Sequence, residues 1–412
     1  MVITIKNMIP RKDYIQQLGL FIDKPLVKIL TGIRRSGKSS ILMLLKEELL
    51  HRGIDPEKII YINFESFSSR ELLDSAQLYE YVSKLTVQPK RSYLLLDEIQ
   101  EVKDWERCIN SFMVDMDVDI YITGSNSHLL SSELSTFLAG RYIEIAVHTL
   151  SFEEYLEFHS VDRETNKKLI RELFQTYLRY GGFPVINTSD YNEDTVYKIV
   201  FDIYSSVILR DTIQRSNIRD VELLERVLYY VFDNIGNTFS GKNIADYFKS
   251  QQRKIDINTV YNYLKALEGA FILYRARRYD IKGKEILKTL EKFYLSDVSL
   301  LYATMGYKDR LISGILENIV YLELKRRNYN VFVGKTENRE IDFVAEKQGK
   351  KIYVQVAYII DSKQTAEREF SELLNIRDQY PKFVVTMDEF WKESIEGVQH
   401  FHIADFLLSR VY

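Results

Sequence analysis

The residues with the clearest chemical potential form one short run, Gly32-Ile33-Arg34-Arg35-Ser36-Gly37-Lys38-Ser39. This run fits the pattern G-x-x-x-x-G-K-[ST] without a mismatch. An apolar stretch at 26–30 precedes it, and a helical pattern at 40–50 follows it. A glycine-rich loop between a strand and a helix directs several backbone N–H groups, and the partial positive charge of the helix N-terminus, at one place. The run therefore predicts a cradle for phosphate oxygens.

Different side chains of this loop are expected to bind the phosphates and the Mg²⁺ of a nucleotide. We expect Lys38 to reach the β and γ phosphates and the Ser39 hydroxyl to bind Mg²⁺. The residues expected to contact the nucleotide are Gly32, Arg34, Arg35, Ser36, Gly37, Lys38, Ser39 and Ser40. The alternative is a fortuitous Gly-Lys-Ser turn. It is disfavoured because a strand, a loop and a helix occur in the required order.

Two acids end the apolar run at 93–96. Such a continuous apolar run is typical of a buried parallel strand. We expect Asp97 to hold the water shell of Mg²⁺ and Glu98 to orient the attacking water, because phosphoryl transfer leaves the protein mostly positioning and charge stabilisation to perform. Many strands end in acids that only contact solvent, so the two acids alone are weak evidence of a site. They indicate a nucleotide site because the glycine-rich loop lies upstream. Together the two elements predict nucleotide binding followed by hydrolysis.

A third strand candidate, at 119–122, ends in Thr123-Gly124-Ser125-Asn126. A polar side chain there can sense the γ phosphate or orient the same water; the alternative is an ordinary turn after a strand. Strand candidates at 26–30, 59–63, 92–96, 120–123 and 142–147 alternate with helical stretches at 40–50, 78–85, 105–112 and 132–138. This alternation favours a parallel sheet with its ligand at the carboxyl ends of the strands. The three segments should therefore converge on one site.

Composition excludes several classes of protein. With 412 residues, of which 46% are hydrophobic, the chain is long enough for two or three domains with cores of their own. The formal net charge of −3 gives no global attraction to nucleic acid, so a nucleic-acid site would have to be a local patch. No apolar stretch approaches the roughly 20 residues that span a bilayer, and the first residues lack the pattern of a secretory signal. The lone Cys108 suits a reducing compartment, so we expect a cytoplasmic protein without membrane contact.

Past residue 150 the sequence predicts a helical lid and then a winged helix. Three amphipathic segments, at 223–235, 240–248 and 256–267, precede a hairpin through 271–274 and 293–296. The polar residues of the third segment that could face a major groove are Asn258, Thr259, Asn262 and Lys265. Basic residues cluster around it, namely Lys249, Arg253, Lys254, Arg275, Arg277, Arg278, Lys282, Lys284 and Lys288. Two interpretations stay open at this point, a contact with duplex DNA or a platform for a protein partner.

Four segments carry a resemblance to a known family: GIRRSGKS, LLLDEIQ, ITGSNS and LAGRY. They resemble the AAA-type ATPases of bacteria and archaea that are followed by a domain of unknown function with a winged helix and a restriction-endonuclease-like tail. The resemblance covers nearly the whole chain. It implies ATP and Mg²⁺ as ligands, Ser125 and Asn126 at a sensor position, and Arg141 as an arginine finger. A finger would act on a neighbouring subunit of a homo-oligomer. The alternative for Arg141 is a solvated arginine that opens the strand at 142–147.

The last part of the chain follows this resemblance with one departure. Glu317 lies on a predicted helix and Asp342 on a later strand, in the order of a restriction-endonuclease-like fold. By the resemblance, an active member needs Glu-x-Lys on the next strand, because the carboxylate shares a metal ion and the lysine stabilises charge at the attacked phosphate. Gln355 and Ala357 occupy those positions, so we expect an inactive scaffold. The remaining candidates for the missing cation are Lys351 and Lys363.

The combined prediction is an α/β multidomain protein with a P-loop NTPase parallel sheet, a helical lid, a winged helix and a degenerate restriction-endonuclease-like α/β domain. The expected domains are 1–150 for the ATPase core, 151–220 for the lid and connector, 221–300 for the winged helix and 301–412 for the last domain. The catalytic candidates are Lys38, Glu98, Asn126 and Arg141, and the metal ligands are Ser39 and Asp97. The expected function is an ATPase switch; the alternatives are a nucleotide-binding interaction protein without hydrolysis and an ATP-regulated nuclease.

Overall fold

A computed structural model describes residues 8–86, 91–127, 138, 140–164, 166–287, 290–336, 340–360, 362–389 and 394–412, without the side chains of residues 209 and 363. Most of the helix predicted at 132–138 lies outside the described residues, as does Lys288. The chain divides into two compact units. The first comprises residues 1–147 with 269–271, and the second comprises residues 148–268 with 272–412.

The first unit is built on a five-stranded parallel sheet with the strand order β2-β3-β4-β1-β5. Its strands are β1 (Val27–Thr31), β2 (Ile59–Asn63), β3 (Ser92–Asp97), β4 (Val118–Gly124) and β5 (Tyr142–Ala146). Its helices are α1 (Lys12–Gly19), α2 (Lys38–His51), α3 (Ser75–Leu85) and α4 (Trp105–Asp115). The predicted parallel α/β sheet, typical of P-loop NTPases, is confirmed.

The central strands are buried because apolar side chains cover both faces of the sheet. Every residue of β1 and of β3 is buried, as expected for a parallel sheet between helices. Successive residues of a strand point to opposite faces. Accordingly, Ile29 packs in one core with Phe112, and Leu30 packs in another with Leu45. The carboxyl ends of β1, β3 and β4 therefore emerge together at one edge of a rigid layer.

Cys108 lies in the first of these cores. It is buried on α4, and burial raises the pKa of its thiol to about 12. The side chain is therefore a packing residue rather than a nucleophile. In the part of the chain that the structure describes, no helix is both long and apolar enough to cross a membrane.

The second unit begins with a run of helices, α5 (Phe152–Phe158), α6 (Lys167–Tyr180), α7 (Glu193–Ser206) and a π-helical segment at Val207–Gln214. Ser151 caps α5 through a capping box with Glu154. The three helices predicted next are present as α8 (Val221–Asp233), α9 (Gly241–Ser250) and α10 (Ile257–Gly269). Four short strands follow, β6 (Leu273–Ala276), β7 (Arg278–Asp280), β8 (Glu285–Ile286) and β9 (Lys292–Leu295).

The connection between β6 and β9 differs from the predicted wing. β6 and β9 do pair as an antiparallel two-stranded sheet. Between them, however, β7 pairs with a strand of the large sheet of this unit and β8 pairs with β7. The unpaired backbone of an edge strand is a ready template for such an addition. Lys282 and Lys284 therefore lie at the end of a larger sheet and not on an isolated wing.

The large sheet of the second unit has eight strands in the order β14-β15-β13-β12-β11-β10-β7-β8. The remaining strands are β10 (Asn330–Lys335), β11 (Glu340–Lys347), β12 (Lys350–Val356), β13 (Lys382–Thr386), β14 (Ser394–Ile395) and β15 (Val398–His402). The remaining helices are α11 (Ser299–Met305), α12 (Ile312–Arg326), α13 (Lys363–Leu374) and α14 (Ile403–Leu408). α12 is buried continuously over residues 314–324, which places Glu317 in the interior. The division of this unit into lid, winged helix and last domain stays a prediction.

Candidate functional site

The loop between β1 and α2 has a conformation that requires glycine at two positions. Gly32 has a φ of 144°, and a Cβ built on it would lie 2.1 Å from the carbonyl oxygen of Val147. Gly37 has a φ of 99° and precedes the first turn of α2. Both angles fall where side chains with a Cβ are disfavoured. The loop therefore follows a path that a substituted residue could not take without moving the backbone.

Lys38 is buried, and its ammonium is held by the loop itself. Its Nζ donates to the carbonyl oxygens of Gly32, at 3.0 Å, and Ile33, at 3.2 Å. Glu98 Oε1 lies 3.8 Å from the same Nζ. The ammonium thus lies close to one of the two acids that end β3, while carbonyl groups carry most of its hydrogen bonding. A cation held in this way can be drawn to a phosphate at little cost in rearrangement.

The Asp97 carboxylate is fully buried and accepts hydrogen bonds on both oxygens from neutral donors. Oδ1 accepts from Ser39 Oγ at 3.1 Å and from Thr123 Oγ1 at 2.6 Å. Oδ2 accepts from Tyr61 OH at 3.0 Å and from Asn63 Nδ2 at 2.9 Å. Burial raises the pKa of Asp97, and these hydrogen bonds oppose that rise. The carboxylate is therefore positioned rigidly beside the loop.

Glu98 is held by its neighbours in a strained backbone conformation. Its φ of 57° lies in the left-handed region, which is uncommon for a residue with a Cβ. Its backbone N–H donates to Thr123 Oγ1 at 2.8 Å, and Gln100 Nε2 donates to its Oε2. Thr123 therefore connects both acids, since the same hydroxyl also donates to Asp97. Strain of this kind concentrates at functional sites.

The structure brings most of the predicted phosphate-binding residues to this place. Ser36 is buried, and its Oγ has no hydrogen-bond partner among the described residues. Arg34 pairs with Glu65 at 2.9 Å, whereas Arg35 is exposed with a φ of 68°. Asn126 is buried beyond the end of β4, and Ser40 is half-buried in the first turn of α2. The orphaned Ser36 hydroxyl and the close backbone approach at Gly32 both suit the oxygens of a phosphate.

Arg141 is the predicted site residue that does not join this group. It precedes β5, which runs parallel to β1, so it lies at the amino edge of the sheet. The loop and the acids lie at the carboxyl edge, about 15 Å away along a five-residue strand. Its Nη2 donates to Asn110 Oδ1 at 2.8 Å. Within one chain Arg141 therefore cannot contact the site, and a finger role would require a second copy.

Sequence reasoning missed three residues of the site. Tyr61 and Asn63 hold Asp97 from β2, whose last residue pairs with Asp97 in the sheet register. Asn63 ends an apolar run, so the rule that identified Asp97 could also have identified it. The third residue, Arg11, precedes α1 and donates to the carbonyl oxygen of Ser36 at 2.9 Å. No pattern in the sequence connects Arg11 to a loop 25 residues away.

A second cluster of charged residues lies in the second unit. Glu317 on α12 and Asp342 on β11 lie close together, and both contact Lys292 on β9. Gln355 lies in β12 and Ala357 follows that strand, and neither side chain supplies a carboxylate or a cation. Lys351 donates to Tyr279 OH at 3.0 Å and pairs with Glu346, so it is occupied elsewhere. The side chain of Lys363 is outside the described set. The cation beside the two acids is therefore one that sequence reasoning did not consider.

Comparison with known proteins identifies two family matches and several relatives of this chain. Residues 24–156 match the family described as an AAA domain, and residues 171–311 match a domain of unknown function, DUF8612. An uncharacterized protein of Haemophilus influenzae is 38% identical over 404 residues, which is 98% of this chain and 99% of that protein. An uncharacterized protein of Methanocaldococcus jannaschii is 29% identical over 395 residues, covering 91% of this chain and 85% of that protein.

Among solved structures, a Walker-type ATPase of Pyrococcus abyssi overlaps 72% of this chain and 96% of its own, with 14% identity and a TM-score of 0.42. That likeness is too weak to transfer any property of the Pyrococcus protein. The assignment of residues 24–156 to an AAA-type ATPase domain therefore comes from the family match and from the loop geometry.

Proposed function

The chain belongs to the same family as the Haemophilus influenzae protein, which it matches from end to end, and we propose that its first unit binds and hydrolyses ATP with Mg²⁺. The AAA-domain match supports ATP as the nucleotide. The observation that carries the proposal is the hydrogen bond between Ser39 Oγ and Asp97 Oδ1, at 3.1 Å. It joins the phosphate loop to the acid at the end of β3, which are 58 residues apart in sequence.

The loop would hold the phosphate chain of the nucleotide. Its backbone N–H groups and the N-terminus of α2 supply partial positive charge, and the orphaned Ser36 Oγ supplies a further polar contact. Lys38 would move from its two carbonyl partners toward the β and γ oxygens. Gly32 allows the loop to keep this backbone path, because a Cβ at this position would clash with the backbone of Val147.

Ser39 and Asp97 would hold Mg²⁺, which in such sites neutralises charge on the β and γ phosphates. The four neutral donors around Asp97 fix the direction of both its oxygens. Glu98 would accept a hydrogen bond from the attacking water, with Gln100 and Thr123 holding it in place. Asn126, buried past the end of β4, would contact the γ phosphate.

Steady-state ATP hydrolysis with Mg²⁺ tests the proposal. Lys38→Ala and Glu98→Gln should each lower turnover by roughly 10²–10³-fold, the usual loss when one charge-stabilising group is removed. Glu98→Gln should still bind a fluorescent ATP analogue, because it changes only the group that faces the water. Lys46→Ala on α2 and Glu101→Gln in the turn after β3 serve as matched controls.

Two results would contradict hydrolysis. If the wild-type protein turned over ATP no faster than Lys38→Ala, the hydrolysis proposal would fail, and binding of the fluorescent ATP analogue would then test the rival interpretation of a nucleotide-binding protein without hydrolysis. If Glu98→Gln kept wild-type turnover, Glu98 would not orient the water.

Arg141 has its own test, because it cannot reach the site within one chain. Adding Lys38→Ala protein to Arg141→Ala protein should restore turnover only if the finger acts between copies.

We further propose that α8, α9 and α10 with the β6–β9 sheet form a winged helix whose third helix contacts duplex DNA. Three polar side chains of α10 are exposed and on one side of the helix: Asn258, Asn262 and Lys265. Three exposed basic residues lie close before α10, namely Lys249, Arg253 and Lys254, and Arg253 pairs with Glu222 at 3.1 Å. The same surface would serve a protein partner, so the response of turnover to duplex DNA separates the two interpretations.

The discriminating experiment measures ATP turnover with and without duplex DNA. A DNA contact predicts that DNA changes turnover and that Asn262→Ala with Lys265→Ala abolishes the change. Lys242→Ala, which replaces an exposed lysine of α9, is the control. Turnover that is indifferent to DNA, together with no shift of labelled duplex on the intact protein, would instead support the protein-partner interpretation.

A further inference from the structure

The second unit contains a buried ion cluster that the proposed ATPase chemistry does not use. Lys292 Nζ donates to Glu317 Oε2 at 2.8 Å and to Asp342 Oδ1 at 2.9 Å. All three side chains are buried. In a restriction-endonuclease-like fold the two carboxylates are the residues that would share a divalent cation. Here an ammonium lies between them.

The carboxylate oxygens that a metal ion would need are already occupied. Asp342 Oδ2 accepts from the backbone N–H of Val356 at 2.9 Å. Glu317 Oε2 accepts a second hydrogen bond, from Tyr294 OH at 3.1 Å. A hard divalent cation takes six or more oxygen ligands. Three of the four oxygens of the two acids are committed to protein donors.

Gln355, at the position of the expected third carboxylate, is also committed. Its Oε1 accepts from the backbone N–H of Asp342 at 3.2 Å, and its Nε2 donates to Glu369 Oε2 at 3.0 Å. The amide therefore holds two parts of the protein together and does not offer an oxygen to the cluster. Among the residues that the structure describes, no group of three or more His, Cys, Asp or Glu side chains is arranged to hold a metal ion.

A cavity of about 590 Å³ beside the cluster is lined by three further acids, but each has a partner. Glu340 pairs with Arg278 at 2.9 Å. Glu369 pairs with Arg368 at 2.6 Å, and Glu372 accepts from Thr336 at 2.8 Å. Glu340 and Glu369 are thus paired with arginines, and a neutral hydroxyl holds Glu372. Each of these acids is already engaged by a neighbouring side chain.

The charge balance of the cluster agrees with this picture. Burial and the neighbouring charge of Asp342 raise the pKa of Glu317 to about 8. Burial alone would lower the pKa of Lys292, but the two carboxylates outweigh it and hold that pKa above its usual value. The ammonium of Lys292 therefore stays charged between the two acids.

We propose that Lys292 occupies the place of the divalent cation between Glu317 and Asp342 and makes the cluster independent of metal. The lysine comes from the two-stranded β6–β9 sheet, whereas the acids belong to α12 and β11. The cluster therefore fastens that small sheet to the large one. It cannot hold the metal that cleavage of a phosphodiester would need, which opposes the ATP-regulated nuclease hypothesis. The inference does not depend on whether the first unit hydrolyses ATP.

Titration of the nucleotide-free full chain with Mn²⁺, with free Mn²⁺ followed by electron paramagnetic resonance, tests the inference. Lys292→Met removes the charge and keeps most of the side-chain volume. It should gain one site that binds Mn²⁺ at least about tenfold more tightly than any in the wild type, because it removes a positive charge less than 3 Å from both acids. The double variant with Asp342→Asn should lose that site. Lys308→Met is the charge-matched control.

Two outcomes would overturn the inference. One is Mn²⁺ binding by the wild-type chain that Asp342→Asn abolishes, because the acids would then hold a metal with Lys292 present. The other is a folded Lys292→Met chain that binds no more Mn²⁺ than the wild type. If Lys292→Met does not fold, equal Mn²⁺ binding by the wild type and Asp342→Asn supports the inference and unequal binding refutes it. ATP turnover is measured separately, so the two proposals can fail independently.

Discussion

The two units each bury a lysine beside a pair of acids, but they arrange the charges in opposite ways. In the first unit Lys38 Nζ is held by carbonyl oxygens and lies 3.8 Å from Glu98. In the second unit Lys292 Nζ is 2.8 Å from Glu317 and 2.9 Å from Asp342. Asp97 is held by hydroxyl and amide donors, whereas Asp342 is held by an ammonium and a backbone N–H.

This difference separates a site that can receive a ligand from one that is already satisfied. Around Asp97, neutral donors position the carboxylate without cancelling its charge, so it can still attract a cation. Lys38 donates its hydrogen bonds to two carbonyl groups of the loop, and Glu98 lies farther away, at 3.8 Å. In the second unit the opposite charges meet directly and out of water, so no net attraction is left for a ligand. The same three residue types, Lys, Asp and Glu, are therefore held mainly by neutral groups in the first unit and by direct ion pairs in the second.

The largest effect that this comparison predicts is on stability. Lys292→Met leaves Asp342 buried without its cation, which should lower the free energy of unfolding by about 3–5 kcal/mol. Lys308→Met breaks the partly exposed pair with Asp233 and should cost less than about 1 kcal/mol. Urea unfolding followed by circular dichroism measures both. A loss for Lys292→Met no greater than that for Lys308→Met would show that the cluster does not stabilise the second unit.

A smaller loss is expected at the hydroxyl that joins the two acids of the first unit. Thr123→Val keeps the shape but removes the donor to Asp97 and the acceptor for the Glu98 N–H. It leaves a buried N–H unsatisfied, so we expect it to cost about 1–3 kcal/mol. Turnover of ATP should fall as well, because both acids lose a positioning contact. Thr86→Val, which removes a hydroxyl from the half-buried end of α3, is the control; equal effects would contradict the role of Thr123.

The last effect is a dependence of stability on pH that belongs to the second unit. The pKa of Glu317 rises from an ordinary 4.5 to about 8 in the folded chain. The folded state therefore holds a proton that the unfolded state releases in this range, so this contribution is present below about pH 4.5 and is lost as the pH rises through 8. The free energy of unfolding of Glu317→Gln should fall less steeply over the same range.

Urea unfolding at several pH values between 5 and 8.5 measures that difference in slope. The comparison is made between variants at each pH, because other groups of the chain titrate in the same range. Glu367→Gln, which replaces an exposed acid on α13, is the matched control. Identical slopes for the wild type and Glu317→Gln would mean that Glu317 is already ionised in the folded chain.

Much of the first unit could be predicted because its signals are local. The phosphate loop is continuous in sequence, and the apolar runs that form β1, β3 and β4 end in the polar residues that converge. Parallel strands bring their carboxyl ends to one edge, so Asp97 and Thr123 could be placed near Ser39 without a structure. Tyr61 was not predicted, because its role depends on the pairing of β2 with β3 and on which face it shares with Asn63.

The second unit shows where such reasoning fails. The three helices α8, α9 and α10 follow from apolar periodicity, and Glu317 and Asp342 follow from their order in the chain. The replacement of the expected Glu-x-Lys by Gln355 and Ala357 could also be read from the sequence. The pairing of β7 with β10 could not be predicted, because an edge strand accepts partners of many sequences and its register is set by the strands around it.

The sequence by itself determined the phosphate loop, the two acids after β3 and the absence of a third carboxylate at Gln355, because these depend on residue type and local order. Only the tertiary structure decided that Arg141 lies at the wrong edge of its own sheet and that Lys292 fills the space between Glu317 and Asp342. Lys292 precedes those acids by 25 and 50 residues. The partner of a buried charge is the group that tertiary packing places within about 3 Å of it, and local sequence patterns do not predict which group that is.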